Sequence, residues 1–256
     1  MPNWTFLTLH FFHTMALVVW VGGIVSIGGI VAPVFYWHLH DYGVYASWGH
    51  DDVGQVPHTW LTPLPPWMFF RNICYQLRAA DVLGFQALIL FSGHGGPHDQ
   101  DTDQFVELVQ PRVGARIEFI ANDDDLDKDP DTDFEWVDHA GKGETSGLWA
   151  TEPACTDISR LPSPGALGTH FAMGKNASES DRRRGQWLTE HKAAYLAEVA
   201  QDKIDEYQNV KPAHKLATFR DVEMLWEQVV LPVLPQFACM QEGKKQVPED
   251  SMWHAN

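Results

Sequence analysis

GFQALILFSGHGG, residues 84–96, is the stretch on which the reading of this chain turns. Phe85 to Phe91 carry no charge and sit between Gly84 and the turn Ser92-Gly93-His94-Gly95-Gly96-Pro97. A short apolar run bounded by turn residues reads as a strand buried in a sheet. Immediately upstream, Pro63 to Asp81 opens with prolines, which suit a helix N-terminus. It continues as WMFFRNICYQLRAAD, with apolar residues recurring at three and four, so it reads as a helix that Gly84 ends. Downstream, Asp103 to Gln110 reads as a helix and Val113 to Ala121 (VGARIEFIA) as a second strand. Helix, strand, Gly-rich turn, helix, strand is the order expected of a parallel sheet with helices on its faces, the α/β class.

Outward from this centre the pattern is looser. Gly29 to Val34 (GIVAPV) reads as a strand ending in a proline turn, and His38 to His58 as a polar, His-rich loop. Asn122 to Asp133 holds seven aspartates. Its D-x-D-x-D spacing suggests a calcium loop, but the required Gly is absent and Pro130 intrudes, so a solvated loop is expected. Asp181 to Asp205 reads as a long amphipathic helix. Phe219 to Phe237 reads as a helix interrupted by Pro232 and Pro235, its apolar end packing on the domain or on a neighbouring subunit. The last dozen residues are expected to be loose. The sequence shows no internal repeat.

The 256 residues suit one large domain or two small ones. With 18 Lys+Arg against 34 Asp+Glu, the formal net charge is −16, which disfavours nucleic acid as a partner. No Asp, Glu, Lys or Arg precedes Asp41, and the first cation is Arg71. Within that stretch Met15 to Tyr36 form 22 uncharged residues, long enough to cross a bilayer at about 1.5 Å per residue. No Lys or Arg flanks them, no cationic n-region opens the chain, and the run holds four glycines and Pro33. Buried core is expected there rather than a membrane anchor. Cys74, Cys155 and Cys239 are too scattered for a disulfide framework or a CxxC metal site. They are expected as small buried hydrophobes in a reducing, cytoplasmic compartment.

Three segments carry residues suited to chemistry. The strand Phe85–Phe91 delivers His94 to the carboxyl edge of a sheet, where α/β active sites lie, with glycines that permit close approach of a metal or substrate. Its plain alternative is a structural or solvated turn histidine. Asp138 to Ser146 (DHAGKGETS) sets His139 and Glu144 five residues apart across small residues. A loop entering a helix points both inward, where His shuttles protons and Glu ligates a metal or acts as a base. The alternative is a polar loop whose Thr or Ser caps a helix. Finally, His38, His40 and Asp41, with His50, Asp51 and Asp52, form a His/Asp density that suits a transition metal but matches no closed zinc site.

Together these segments resemble the creatininase (creatinine amidohydrolase) family, over about residues 28 to 205 and in family order. GGIVAPVFYW resembles the strand and turn before the family's substrate loop, and Pro57-His58-Thr59 its P-G-T element. GFQALILFSGHGG resembles its G-F-x-x-I-x-x-x-N-G-H-G-G strand and metal loop. HAGKGETSGLWATEP, residues 139–153, resembles H-A-G-x-x-E-T-S and is the most specific match, and SESDRRRGQWLTEHK, residues 178–192, resembles the helix that follows. The resemblance implies a three-layer α/β/α sandwich with a mostly parallel central sheet, in a homo-oligomer. It also implies a metal-dependent hydrolase acting on a C–N bond of a small, cyclic or related amide. One or two divalent ions, Zn, Mn or Fe, would make hydroxide available near neutral pH and polarise the carbonyl. His94 would then be a metal ligand, His139 the proton shuttle, and Glu144 a ligand or a base aligning the attacking water. Further ligands are expected among His38, His40, Asp51 and Asp52.

The chain also departs from the family. Family members carry an early E-x-H-G…D motif, which has no counterpart before residue 38. Either His38-Leu39-His40 is a degenerate copy, with His38 in place of the Glu and Asp51 as the later acid, or the segment bearing that motif is missing or replaced by residues 1–28. Ser92 stands where the family has Asn, and Gly96 where creatininase has a ligand Glu. The expected organisation is an atypical apolar segment at 1–28, an α/β domain at 29–205, and a helical extension with a tail at 206–256. A catalytically impaired relative serving as a scaffold or binding protein is the alternative function.

Overall fold

A computed structural model describes residues 29–31, 47, 50, 64–92, 97–120, 141–161, 176–210, 212, 214–241 and 247–251. The chain divides into two compact units, one of residues 1–35 and 122–198, the other of 36–121 and 199–256.

In the second unit, helix α1 spans Pro66–Leu83. Pro66 occupies its first turn, where a missing N–H costs nothing, and Met68 and Phe69 donate to the Pro65 carbonyl. Gly84, in the left-handed region at φ 82°, stops it by donating to the Ala80 and Asp81 carbonyls. Strand β1 is Ala87–Phe91, helix α2 is Pro97–Val109, and strand β2 is Arg116–Ile120. The strands pair in parallel, Ala87 opposite Arg116 through Phe91 opposite Ile120, so β1-α2-β2 is one crossover unit. Mixed helix and parallel strand make the chain α/β, as the sequence order predicts. The observed strands start later than expected, β1 by two residues and β2 by three. Residues Gln110–Arg112 form a 3-10 turn instead.

β1 is half-buried along its length rather than buried, whereas β2 alternates. Ile117 and Phe119 enter the core, and Arg116 and Glu118 face the other way. There they meet the end of helix α4 (Arg182–Asn209): Lys203 lies 2.7 Å from Glu118, and Glu206 lies 3.7 Å from Arg116.

The core of this unit gathers α1, α2, β2 and the segment 214–241. Phe70 packs its ring 5.1 Å from Phe105 and, edge-on, 5.0 Å from Phe237. Leu77, Val109, Val222, Leu225, Trp226 and Val230 complete the same cluster. The expected helix 219–237 is α5, Phe219–Leu225, prolonged by a π turn at Trp226–Val230 and a 3-10 turn at Leu234–Gln236. Pro232 and Pro235 cannot supply the N–H groups that an α-helix would need there. Thr218 opens α5 with a capping box: its hydroxyl accepts the Asp221 N–H, and the Asp221 carboxyl accepts the Thr218 N–H at 2.6 Å. Of the two destinations expected for the apolar end, it packs on its own unit.

Two buried carboxyl groups tie this core together. Asp81, 5% exposed, accepts the N–H groups of Gly114, Ala115 and Leu216 at 2.8–2.9 Å. Asp101, 1% exposed, accepts those of Ala238 and Cys239. Burial pushes the Asp101 carboxyl above its usual range, against the lowering effect of its bonds from Cys239 and Ala238. Cys74 is buried in the core and its thiol is pushed up to about 12 by burial. Cys239 is likewise buried, but Cys155 is exposed, a correction to the expectation that all three would be core residues. Cys155 ends a 3-10 turn at Pro153–Cys155 that carries no buried residue.

Among the described residues no helix is long and apolar enough to cross a membrane. Gly29, Ile30 and Val31 are not in a strand. The rest of the run 15–36, the acidic segment 122–133 and Pro57-His58-Thr59 lie outside the described residues. At the other end, the expected looseness is not seen at residues 248–251. Ser251 donates its N–H to the Pro248 carbonyl, and its hydroxyl bonds to Nδ1 of His50 at 2.9 Å.

Replacing Asp81 with Ala leaves three buried N–H groups without their acceptor. Asp81→Ala is expected to destabilise the protein by about 3 kcal/mol or more, read as a lower urea midpoint. A second expectation concerns acid. Glu223 is gripped by the Tyr75 hydroxyl and by Arg71, and these hold its carboxyl below its ordinary 4.5, the Tyr75 bond being the larger effect. A depressed carboxyl stabilises the fold above its unfolded pKa, and that stability is lost as pH falls through the folded value. The melting temperatures of wild type and Tyr75→Phe should therefore differ at pH 7 and converge as the pH drops below 4; a gap that stays constant to pH 2.5 contradicts the assignment.

Candidate functional site

Of the residues singled out from sequence, Glu144 and His50 fall within the described residues. His94, His139, His38, His40, Asp51 and Asp52 lie outside the described residues, as do the glycines flanking His94. The approach to His94 is described: β1 runs to Phe91, and Ser92 extends the pairing by donating its N–H to the Ile120 carbonyl at 2.8 Å. The chain therefore leaves the carboxyl end of a parallel strand two residues before His94, and α2 begins one residue after Gly96.

In the first unit, helix α3 spans Lys142–Thr151, and Glu144 sits half-buried in its first turn. A carboxylate is favoured there by the positive end of the helix dipole. The cap is Gly141, in an extended conformation, and not Thr145 or Ser146 as the capping alternative supposed. Both residues lie inside the helix. Because Gly141 has no side chain to satisfy the first N–H groups, an outside group takes one of them: Asn176 Oδ1 accepts the Lys142 N–H at 3.1 Å. Lys142 also pairs at 3.8 Å with Glu179, in the 3-10 turn Ala177–Glu179.

Ser146 is fully buried. Its hydroxyl donates to the Lys142 carbonyl one turn back and accepts the Asp181 N–H at 2.8 Å. Asp181 is the N-cap of α4, its carboxyl accepting the N–H groups of Arg183 and Arg184 at 2.8 and 3.0 Å. Four residues into α4, Gly185 lies directly against the Ser146 carbonyl. A Cβ at Gly185 would stand 1.9 Å from that oxygen, so only glycine allows the two backbones to approach this closely. Helix α4 itself runs four residues beyond the expected Asp205, to Asn209.

The sequence pattern marked Ser146 as a helix-cap candidate alone, and Asn176 and Gly185 not at all. A Ser and a Gly on short stretches are weak signals alone, and their pairing spans 35 residues or more. His50 was grouped with Asp51 and Asp52 as a metal candidate; in the structure its Nδ1 bonds to Ser251. No group of three or more His, Cys, Asp or Glu suited to a metal ion occurs among the described residues.

No family model matches the chain, and no curated protein matches it. Among solved structures it is similar to a protein from Bacteroides fragilis NCTC 9343 named "Putative creatinine amidohydrolase". The two share 16% identity at a TM-score of 0.49, over 74% of this chain and 79% of the other.

The close approach at Gly185 makes a clear prediction. Gly185→Ala forces α3 and α4 apart and is expected to cost about 1–3 kcal/mol, measured by thermal or urea unfolding. An unchanged unfolding curve would contradict the packing described.

Proposed function

We propose that this chain is a creatininase-like, metal-dependent amidohydrolase that cleaves a C–N bond of a small linear or cyclic amide, built as a three-layer α/β/α sandwich. The observation that carries the reading is the segment HAGKGETS, residues 139–146. It resembles the family's most specific motif, and its second half forms a helix start that holds Glu144 half-buried under a buried serine clamp. A site that must hold a carboxylate in one place calls for that kind of support.

The donors in this reading, imidazole and carboxylate, suit Zn, Mn or Fe. His94 would hold the metal together with Glu144 and members of the set His38, His40 and Asp51. A bound divalent ion supplies a low-pKa water and polarises the scissile carbonyl. The chain's own residues do the rest. Glu144 orients the attacking water or ligates, and His139 takes up a proton and delivers it to the leaving nitrogen, a role suited to imidazole near neutral pH. The apparent partner is a small polar amide, and a homo-oligomer in the cytoplasm accords with the family resemblance.

One observation favours a second reading. The first 40 residues contain no carboxylate, so the family's early metal motif is missing or degenerate. A relative with an incomplete site would act as an oligomeric scaffold or binding protein. Metal analysis separates the two: the hydrolase is expected to retain Zn or Mn after purification, the scaffold to retain almost none. For the hydrolase, His94→Ala and Glu144→Gln should each reduce hydrolysis of creatinine or a related cyclic amide by about 100-fold or more. Hydrolysis and metal content unchanged in both variants would sink the reading.

A further inference from the structure

We propose that Ser146 is a positioning residue for Glu144, acting with Asn176 from outside the turn that carries it. The inference rests on the amidohydrolase reading above, which gives Glu144 its role.

The first turn of a helix is its weakest part, because its leading N–H groups have no partner within the helix and ends open readily. Glu144 stands in that turn, and the cap before it is a glycine. A side chain so placed holds its direction only if the turn is fixed from elsewhere. Asn176 and Ser146 contribute to this. Asn176 takes the Lys142 N–H, and the Ser146 hydroxyl joins the Lys142 carbonyl to the Asp181 N–H. Lys142 is thus held at both its backbone groups, two residues before Glu144, while Ser146 stands two residues after it.

The anchor is itself firm. Asp181 is fixed by two N–H groups of α4, and Gly185 seats the Ser146 carbonyl against the same helix. A hydroxyl is the group that fits this place, because it donates and accepts at once from a small side chain. Alanine would fill nearly the same volume and lose both bonds.

The test uses the full chain with Ser146→Ala, Asn176→Ala, Asn176→Asp and Glu144→Gln. Two quantities are read: amide hydrogen exchange, and Zn affinity by competition with a coloured chelator. Losing the hydroxyl should speed exchange at residues 143–146 about tenfold, while the amides of Ile117 and Phe119 in β2 exchange at the parent rate. Zn affinity should fall by roughly 10- to 100-fold, the usual effect of losing a group that orients a ligand. Asn176→Ala should act in the same direction, and Asn176→Asp, which keeps the acceptor, should restore both readings.

Should Ser146→Ala fail to fold, the Asn176 pair carries the same comparison. Exchange at 143–146 unchanged in the folded variants overturns the proposal, and so does equal acceleration in α3 and β2. If exchange responds but Glu144→Gln leaves Zn affinity untouched, the clamp stands and the amidohydrolase reading falls instead.

Discussion

The carboxyl group of Asp81 fixes more of this molecule than any other single side chain described. It sits at the end of α1 and takes N–H groups from the entry to β2 and from Leu216, well over a hundred residues further on. Hydrophobic burial is not directional, and a cluster of Phe, Leu and Val side chains tolerates many arrangements. Three N–H groups converging on one buried carboxyl tolerate few. Asp101 makes a second attachment from α2 to residues 238 and 239. The segment 214–241 is therefore pinned near both its ends, and between the pins Val222, Leu225, Trp226, Val230 and Leu234 fill the core.

The same pinning holds both flanks of residues 93–96. Residues 93–96 connect two rigid pieces: β1, paired through Ser92 to Ile120, and α2, fixed one turn in by Asp101. Short connections between fixed elements are where folds place reactive side chains with least loss of precision. In the other unit the start of α3 meets the same demand differently, with a hydroxyl and a side-chain amide serving a helix whose own cap has no side chain. Both units use a small number of hydrogen-bonded polar groups to impose position on backbone that apolar packing alone would leave loose.

Much of the fold was legible in the sequence because it is local. The apolar spacing of WMFFRNICYQLRAAD, the prolines before it and Gly84 after it located α1 to within a few residues. The two structural aspartates had a signal that was not used. Asp81 lies four residues after Leu77 and Asp101 four before Phe105, each on the buried stripe of its helix, where a carboxyl is out of place unless it has work inside. The clamp on α3 had no such signal. Ser146 with Asp181, and Ser146 with Gly185, are pairings of distant residues, and periodicity reports only on neighbours within a turn or two. Cys155 was misjudged for a related reason, since burial of a small thiol depends on what covers its turn. The motif HAGKGETS pointed to Glu144, which the described residues include, but spacing alone does not say what it faces.

The order of the two units along the chain has a consequence for synthesis. Residues 36–121 leave the ribosome well before 199–256, yet the core they belong to needs Leu216, Val222, Trp226 and Phe237. Until those residues emerge, Phe70, Leu77 and Phe105 lack the part of their cover that comes from residues 216–239, Asp81 lacks Leu216, and Asp101 lacks Ala238 and Cys239. Meanwhile the residues of the other unit, 122–198, are already available to fold. The unit of residues 36–121 and 199–256 is thus the later one to finish. For the interval in between, the core of that unit lacks the side chains that complete it.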